Sequence, residues 1–359
     1  METARVVARG RVRAMAGVED MSPPAGPAEP PWARTTLLLA AAAIPLGVVL
    51  ATAIQIVLRV QRGPLAFFAA FEQWFFLGLV LLVPLALLRD ARALRIALAV
   101  ALVAGVVRFG GEVFSLPAGT VVGPEVRVMA WNIQYDGGTP EIDASIIAST
   151  DVDIVALEEL TSAKARVIGS DPAVLRRFPY LVLLPRGPLD GVGLLSDRPL
   201  TLIDDFDSPE GLEAVVATPA GPITVIVAHP AHSPIEAVDP VSLVVDYDVT
   251  DRDADLARLR ARIDAAMGRG ERVMLLGDMN TTPTEPGFAT LVAGLRDAHA
   301  EVGLGPGWTW RPQALVPFDL GVVRIDVVVT SPDLAPVESH EVCLPVSDHC
   351  QLWATVAGS

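Results

Sequence analysis

The sequence predicts an α/β protein with mixed β-sheets, preceded by an α-helical transmembrane region, and three observations predict it. The first third of the 359 residues contains three long apolar stretches with almost no polar face. The rest alternates Val- and Ile-rich segments with helical patterns, the signature of interleaved strands and helices. The two parts also differ in charge: Met1 to Thr120 holds 11 Arg against 7 acidic residues, whereas Val121 to Ser359 holds 16 basic against 35 acidic residues. With 52% hydrophobic residues and a mean hydropathy of +0.46, the chain is too apolar to be disordered and high for a wholly soluble protein.

Residues 1–33, with the run SPPAGPAEPP from Ser22, read as a disordered cytoplasmic tail, with Met15 and Met21 as alternative starts. Residues 34–114 read as a transmembrane region of about three helices. Thr35 to Leu58 is free of charge over 24 residues between Arg34 and Arg59, enough to cross a bilayer. The second stretch, Leu65 to Leu88, carries Glu72 and Trp74 near its start, where an interfacial position suits them. The third, Leu94 to Phe114, is interrupted by Arg95, Arg108 and Glu112 and is the weakest. The first stretch begins too late and is too long for a cleavable signal peptide. Three crossings from a cytoplasmic amino terminus leave Arg5, Arg9, Arg11, Arg13, Arg34, Arg89, Arg92 and Arg95 inside against Arg59, Arg62 and Arg108 outside. That asymmetry places the acidic part outside the cell membrane, in a multi-pass protein; two crossings would invert it.

Residues 115–123, marked by Pro117, Gly119 and Gly123, form a linker, and residues 124–359 suffice for a substantial core. Strands are predicted at Val126–Trp131, Ile154–Leu157, Gly193–Ser196, Ile223–Ala228, Val273–Leu276, Ile325–Thr330 and Cys350–Val356. The clearest helix is Asp253–Met267, with Leu256, Leu259, Ile263 and Met267 on one face. His232–Thr250, rich in acids, reads as a solvated loop at a cleft rim. Cys343 and Cys350 are too few for a multi-bridge framework or a cysteine zinc site, so a metal here takes oxygen or imidazole ligands. Two unpaired core thiols is the simpler reading of the pair, with one disulfide the alternative in an oxidising compartment.

Polar residues recur just past the strands, where loops project side chains into a common cleft. Met129–Gln134 ends a strand with Asn132 and Gln134; Asp153–Glu159 ends another with Glu158 and Glu159. Val225–Pro230 delivers His229, and Leu275–Pro283 delivers Asp278 and Asn280. Arg324-Ile-Asp326 opens a strand, and Ser347-Asp348-His349 precedes the last. Singly each reads more readily as a turn, cap, rim or structural residue. Together, in this order, they resemble the endonuclease/exonuclease/phosphatase superfamily, the deoxyribonuclease I-like fold, across essentially all of residues 124–359.

The resemblance implies a four-layer sandwich of two mixed β-sheets flanked by helices, a divalent metal (Mg²⁺ or Mn²⁺), and hydrolysis of a phosphoric ester or anhydride. It implies Glu159 as principal metal ligand, with Asn132 beside it and Asp348 as a further metal-side carboxylate. His349 resembles the catalytic histidine, oriented by Asp326; Asp278 and Asn280 resemble the pair that positions water and phosphate; His229 resembles the histidine that stabilises phosphoryl oxygens. Glu158 stands where the family usually has Gln, and Gln134 where some nuclease branches have an acid. In Gly191–Ser196 apolar residues replace a frequent Asn.

These roles agree with elementary chemistry. A hard cation prefers carboxylate and amide oxygens and acts as a Lewis acid, and an imidazole paired with a carboxylate moves protons near neutral pH. Nucleic-acid binding draws on clustered Lys and Arg, which the acidic part lacks overall, so nucleic acid is disfavoured as a substrate. A linker of some 10 to 15 residues reaches at most about 35 to 50 Å, keeping the cleft near lipid headgroups. Several spans followed by this domain are also similar to a membrane-bound branch associated with glycopeptide (vancomycin/teicoplanin) resistance, which implies dephosphorylation of polyprenyl diphosphates. The expected activity is therefore hydrolysis of a lipid diphosphate or phospholipid headgroup, with a membrane-tethered nuclease and a non-catalytic phospho-ligand-binding module as alternatives. Nothing in the sequence names a protein partner.

Overall fold

The computed structural model describes residues 31–113, 123–187, 189–233, 236–239 and 244–358; the expected tail lies outside them apart from residues 31–33, as does the linker apart from Gly123. Helix α1 (Pro31–Leu58) and helix α5 (Arg92–Val113) are each long and apolar enough to cross a membrane. Between them the chain forms α2 (Pro64–Ala70), α3 (Glu72–Gly78), a 3₁₀ turn (Leu79–Leu82) and α4 (Val83–Ala86), with an 82° bend between α2 and the segment that follows. The expected ranking is thus reversed: the third apolar stretch is one unbroken helix and the second is the broken one. Two of the three charges that weakened the third stretch in the sequence, Arg95 and Arg108, are satisfied. Arg95 donates to the carbonyls of Ala86 and Leu88 at 3.1 and 2.9 Å. Arg108 pairs with Glu72 at 3.0 Å, and Glu72 also accepts from Thr52.

At one end of this bundle Arg34 lies 3.5 Å from Asp90, just before α5. At the other end, Arg59 donates to the Pro286 carbonyl at 2.6 Å and the Val113 carbonyl accepts from Gly305 N–H at 3.4 Å. Both long helices therefore run toward the second half of the chain, and α3–α4 returns between them.

The second half contains two six-stranded mixed sheets. In one, β1 (Glu125–Asn132) and β2 (Ile154–Glu158) are parallel and central, flanked by β4 (Val192–Ser196) and β3 (Tyr180–Leu184) on one side and β14 (Gln351–Gly358) and β13 (Leu334–Val342) on the other. In the second, β10 (Val273–Asp278) and β7 (Gly221–His229) are parallel and central. Strands β12 (Asp326–Thr330) and β11 (Arg296–Asp297) lie outside β10, and β6 (Glu210–Thr218) and β5 (Leu200–Asp207) outside β7.

Side-chain alternation divides each central strand between two cores. Val126, Val128 and Ala130 face the other sheet and meet Val225, Val227, Met274 and Leu276. Met129 and Trp131 point the opposite way, beneath α6 (Pro140–Ser149), α7 (Ser162–Ile168) and α8 (Pro172–Arg177). On the far side α9 (Thr250–Gly268) and α10 (Pro286–Leu291) cover Ile226, Leu275 and Val327, and α11 (Ala298–Val302) follows β11. The result is the four-layer sandwich of the deoxyribonuclease I-like fold. Burial on both faces explains why its central strands read as continuous apolar runs.

Two further readings are corrected. Residues 232–250 are not simply a solvated loop: β8 (Glu236–Asp239) pairs with β9 (Val244–Asp246), and Tyr247 and Val249 pack on Ala66 and Ala70 of α2. Cys343 and Cys350 are not free thiols but a disulfide, with Cα atoms 4.1 Å apart. They close the loop between β13 and β14, a proximity set by strand pairing and so hidden in the sequence.

Candidate active site

The chemistry-bearing residues gather at one end of the sandwich, where the central parallel strands of both sheets finish. Asn132 ends β1, His229 ends β7 and Asp278 ends β10; Glu159 follows β2, and antiparallel β12 begins there with Asp326. Asn132, Glu159, His229, Asp278, Asn280, Asp326, Asp348 and His349 all lie at this end, several of them buried.

Asp278, 1% exposed, is the hub. Its Oδ2 lies 3.5 Å from His349 Nε2 and 3.6 Å from His229 Nε2, and accepts from Asn132 Nδ2 at 3.2 Å. Its Oδ1 accepts the Asn280 backbone N–H at 2.8 Å. Burial opposes ionisation, but His349, His229 and the Asn280 amide outweigh it and hold the Asp278 carboxyl well below the usual carboxylate range. His349 Nδ1 lies 2.9 Å from Asp326 Oδ2. Burial works against an imidazolium there too, yet Asp326 and Asp278 hold the His349 pKa up to about 10. His349 therefore carries its proton at neutral pH. His229 is also raised: burial opposes the charge, and Asp278 with Glu159 overcomes it, while Nδ1 contacts the Leu189 carbonyl at 3.0 Å.

Glu159 is half-buried on a left-handed backbone (φ 55°), and its carboxylate accepts from Asn132 Nδ2 at 3.0 Å and from Tyr135 N–H at 2.8 Å. Asp348 is half-buried, and burial, with Glu159 nearby, raises its pKa. Asn280 donates from Nδ2 to the Pro230 carbonyl at 3.0 Å. Gln134 is directed at the loop rather than at Glu159: its Oε1 accepts the Asp348 N–H at 2.9 Å.

Glu158 is wholly buried, neither of its oxygens has a hydrogen-bond partner among the described residues, and burial beside Asp326 and Asp278 drives its pKa well above that of an ordinary glutamate. Burial therefore favours its neutral form, the form closest to Gln. Gly277 makes this packing feasible: its φ is 135°, and an added Cβ would lie 2.3 Å from the Ala228 carbonyl and 3.0 Å from Glu158 Oε1.

A divalent cation fits these residues. Glu158, Glu159, Asp278, Asp326 and Asp348 crowd around two imidazoles, and Asp326 Oδ1 is buried without a partner among the described residues. Hard oxygens in that excess suit a hard divalent cation. Among the described residues, the group whose ligand atoms lie within 4.8 Å of one another is Asp278, Asp326 and His349. Because His349 Nδ1 is already committed to Asp326, that trio reads as a proton-holding array. The open carboxylate of Glu159 beside Asn132 is better placed to face an ion.

Three supporting residues escaped the sequence reading. Lys164 Nζ donates to the carbonyls of Ile133 and Gln134 at 2.7 and 2.8 Å and pairs with Asp143 at 2.8 Å, fixing the turn after Asn132. Its being the only Lys among 26 Arg was the available signal, since a compact ammonium serves three converging oxygens. Arg311 donates to the carbonyls of Leu344 and Ser347, both at 2.6 Å, and so holds the His349 loop. Arg252 donates to the Asn280 carbonyl at 2.8 Å. Neither arginine is distinguishable in sequence from a solvated one.

The loops that support this site also meet the apolar helices. Thr284, four residues past Asn280, donates to the Ala69 carbonyl at 2.7 Å, and its own carbonyl accepts from Arg108 at 2.7 Å. Val322, just before Arg324, accepts from Gln73 at 3.1 Å and from the Trp74 indole at 2.8 Å.

Similar structures include the humanized D. rerio TDP2 (16% identity, TM-score 0.51, covering 65% of this chain and 98% of that one). An endonuclease/exonuclease/phosphatase family protein from Bacteroides thetaiotaomicron aligns comparably (12% identity, TM-score 0.51, covering 67% and 97%). At these identities the likeness is one of fold. No curated protein matches the chain. The model of the Endonuclease/Exonuclease/phosphatase family matches residues 129–349, from the end of β1 to the histidine paired with Asp326, and the chain belongs to that family.

Proposed function

We propose that this protein is a membrane-tethered, divalent-metal-dependent phosphohydrolase whose substrate is a lipid-linked phosphate, a polyprenyl diphosphate in the first instance. The observation that carries the reading is that the loops flanking Asn280 and Asp326 are the ones hydrogen-bonded to α2 and α3. A cleft supported by loops resting on apolar helices suits a phosphate presented from a bilayer.

Glu159 would hold the metal, its carboxylate oriented by Asn132 and with Asp348 nearby, and the bound ion would supply Lewis-acid polarisation of a phosphoryl oxygen. The protein's own groups do the rest. His349, kept protonated by Asp326, and His229 donate charge-assisted hydrogen bonds to phosphoryl oxygens as negative charge develops. Asp278, ionised and fixed by the Asn280 amide, orients the attacking water. The water oxygen bonds to the terminal phosphorus and keeps one proton, the other passes to solvent as the bridging P–O bond breaks, and inorganic phosphate and the lipid monophosphate leave. The excess of acids over bases around the cleft works against a polyanionic nucleic acid.

The membrane placement belongs to the same proposal. Three crossings put Arg34 and Arg92 on the cytoplasmic side and the sandwich outside, and the Cys343–Cys350 disulfide supports an oxidising exterior.

The full chain, purified into nanodiscs with Mg²⁺, can be offered undecaprenyl diphosphate, sphingomyelin, supercoiled plasmid and single-stranded RNA, each with an EDTA control. EDTA-sensitive phosphate release from the first alone is the expected result. Nicked plasmid without phosphate release would replace the reading with a nuclease, and tight phosphate-dependent binding without turnover would replace it with a binding module.

A further inference from the structure

A groove of about 630 Å³ runs between α3 and α5, on the side of the bundle nearest the catalytic loops. Its walls are apolar, with Phe76, Leu102, Val106 and Phe109 among them. Leu102 and Val106 are largely exposed on the flank of α5. Gly105 keeps the floor low: a Cβ there would lie 3.1 Å from the Phe76 ring.

One end of the groove is different. There it meets Thr282, Thr284, Trp308 and Arg324 of the sandwich. Thr282 lies two residues past Asn280, and Arg324 two residues before Asp326. Arg324 is 3% exposed, lies over the Phe288 ring and donates through Nη1 to Asp297, while its Nε and Nη2 have no hydrogen-bond partner among the described residues. Glu112 lines the same end and offsets part of that charge.

We propose that this groove binds the hydrocarbon chain of the substrate, with its polar end, marked by Arg324, directing the phosphate toward the cleft. The inference rests on the lipid-phosphate reading and adds to it that the lipid has a single chain. The groove's volume lies within the range of about 300 to 1,000 Å³ typical of small-molecule pockets, so it takes the first stretch of one chain and leaves the remainder in the bilayer. The neighbouring cleft is the more polar of the two: Thr52, Gln55, Arg59, Glu72 and Arg108 line it together with Ile56 and Ala289. A diacyl phospholipid would have to leave one tail unhoused. An isoprenoid lipid diphosphate would not.

The test uses the full chain in nanodiscs and compares kcat/KM for undecaprenyl diphosphate, dimethylallyl diphosphate and diacylglycerol diphosphate. Leu102→Trp and Val106→Trp fill the groove from its exposed flank. Each should lower the long-to-short ratio of kcat/KM about tenfold or more, through KM, as filling a hydrophobic pocket does. A ratio equal to wild type in both variants overturns the proposal, as does a diacyl substrate that is turned over as well as the polyprenyl one and is equally sensitive. Should the variants not fold, a polyprenyl diphosphate carrying a diazirine in its first isoprene units should label wild-type α5 between Leu98 and Phe109; labelling elsewhere overturns the proposal. Failure of wild type to hydrolyse any lipid diphosphate would instead remove the underlying functional reading, so the two failures are told apart.

Discussion

Trp74 of α3 stacks on Trp308 with ring centroids 4.8 Å apart, and its indole N–H donates to the Val322 carbonyl at 2.8 Å. One side chain thus grips both loops that lead to Asp326. Trp74→Ala removes an aromatic pair and a hydrogen bond, together about 1 to 3 kcal/mol. We expect faster hydrogen exchange across residues 306–326 and a raised KM for lipid substrate. Exchange identical to wild type would show that the helices do not brace these loops.

The His349–Asp326 pair should dominate turnover. His349→Ala removes a charge-assisted donor, and Asp326→Asn removes the carboxylate that keeps the imidazole protonated and turned toward Asp278. Steady-state kinetics should show kcat reduced by about 10² to 10⁴ in either variant, with unchanged circular dichroism. Near-normal kcat in His349→Ala would transfer the chemistry to other groups.

Glu158→Gln should stabilise the protein, and more so as pH rises. Burial raises the folded-state pKa of Glu158 well above 4.5. Below that value folded and unfolded chains both hold the proton; above it the unfolded chain releases it while the folded chain keeps it, so wild type loses stability as pH increases. Each pH unit in that window is worth at most about 1.4 kcal/mol. Thermal unfolding at pH 5 and pH 8 checks this: the variant's advantage should be small at the first and clear at the second. A variant that is less stable at pH 8 would mean that Glu158 is ionised there.

Replacing Cys343 and Cys350 together by Ser should loosen the loop that carries His349. Closing a loop this short contributes about 2 to 3 kcal/mol in the chain-entropy model. We expect a lower melting temperature and a lower kcat, both reproduced when wild type is treated with a membrane-permeant reductant. Unchanged kcat would mean that Arg311 alone suffices to hold the loop.

Much of the sandwich was legible because its central strands are buried on both faces and read as short apolar runs. The strands that escaped, β3, β5, β6, β11 and β13, lie toward the sheet margins. There β5 mixes Leu202 and Ile203 with Asp204, Asp205 and Asp207, and β13 carries Pro336 and Glu338, so no simple pattern marks them. In the apolar third, Arg95, Arg108 and Glu112 looked like interruptions because a sequence does not display the carbonyls and carboxylates that satisfy Arg95 and Arg108. The site was legible as an ordered set of strand-end residues. Its braces, Lys164, Arg252 and Arg311, were harder to read, because the contacts that hold the site loops are to backbone carbonyls, which every sequence supplies everywhere.

The lone ammonium of Lys164, sealed behind the turn at Gln134, has a practical corollary. A lysine-specific endoprotease has a single side-chain target in the whole polypeptide, and in the folded molecule that bond sits beneath the catalytic turn. Cleavage there can proceed only as fast as the turn opens, so the rate of one cut serves as a built-in gauge of the integrity of the phosphate cleft, readable on a gel without any substrate.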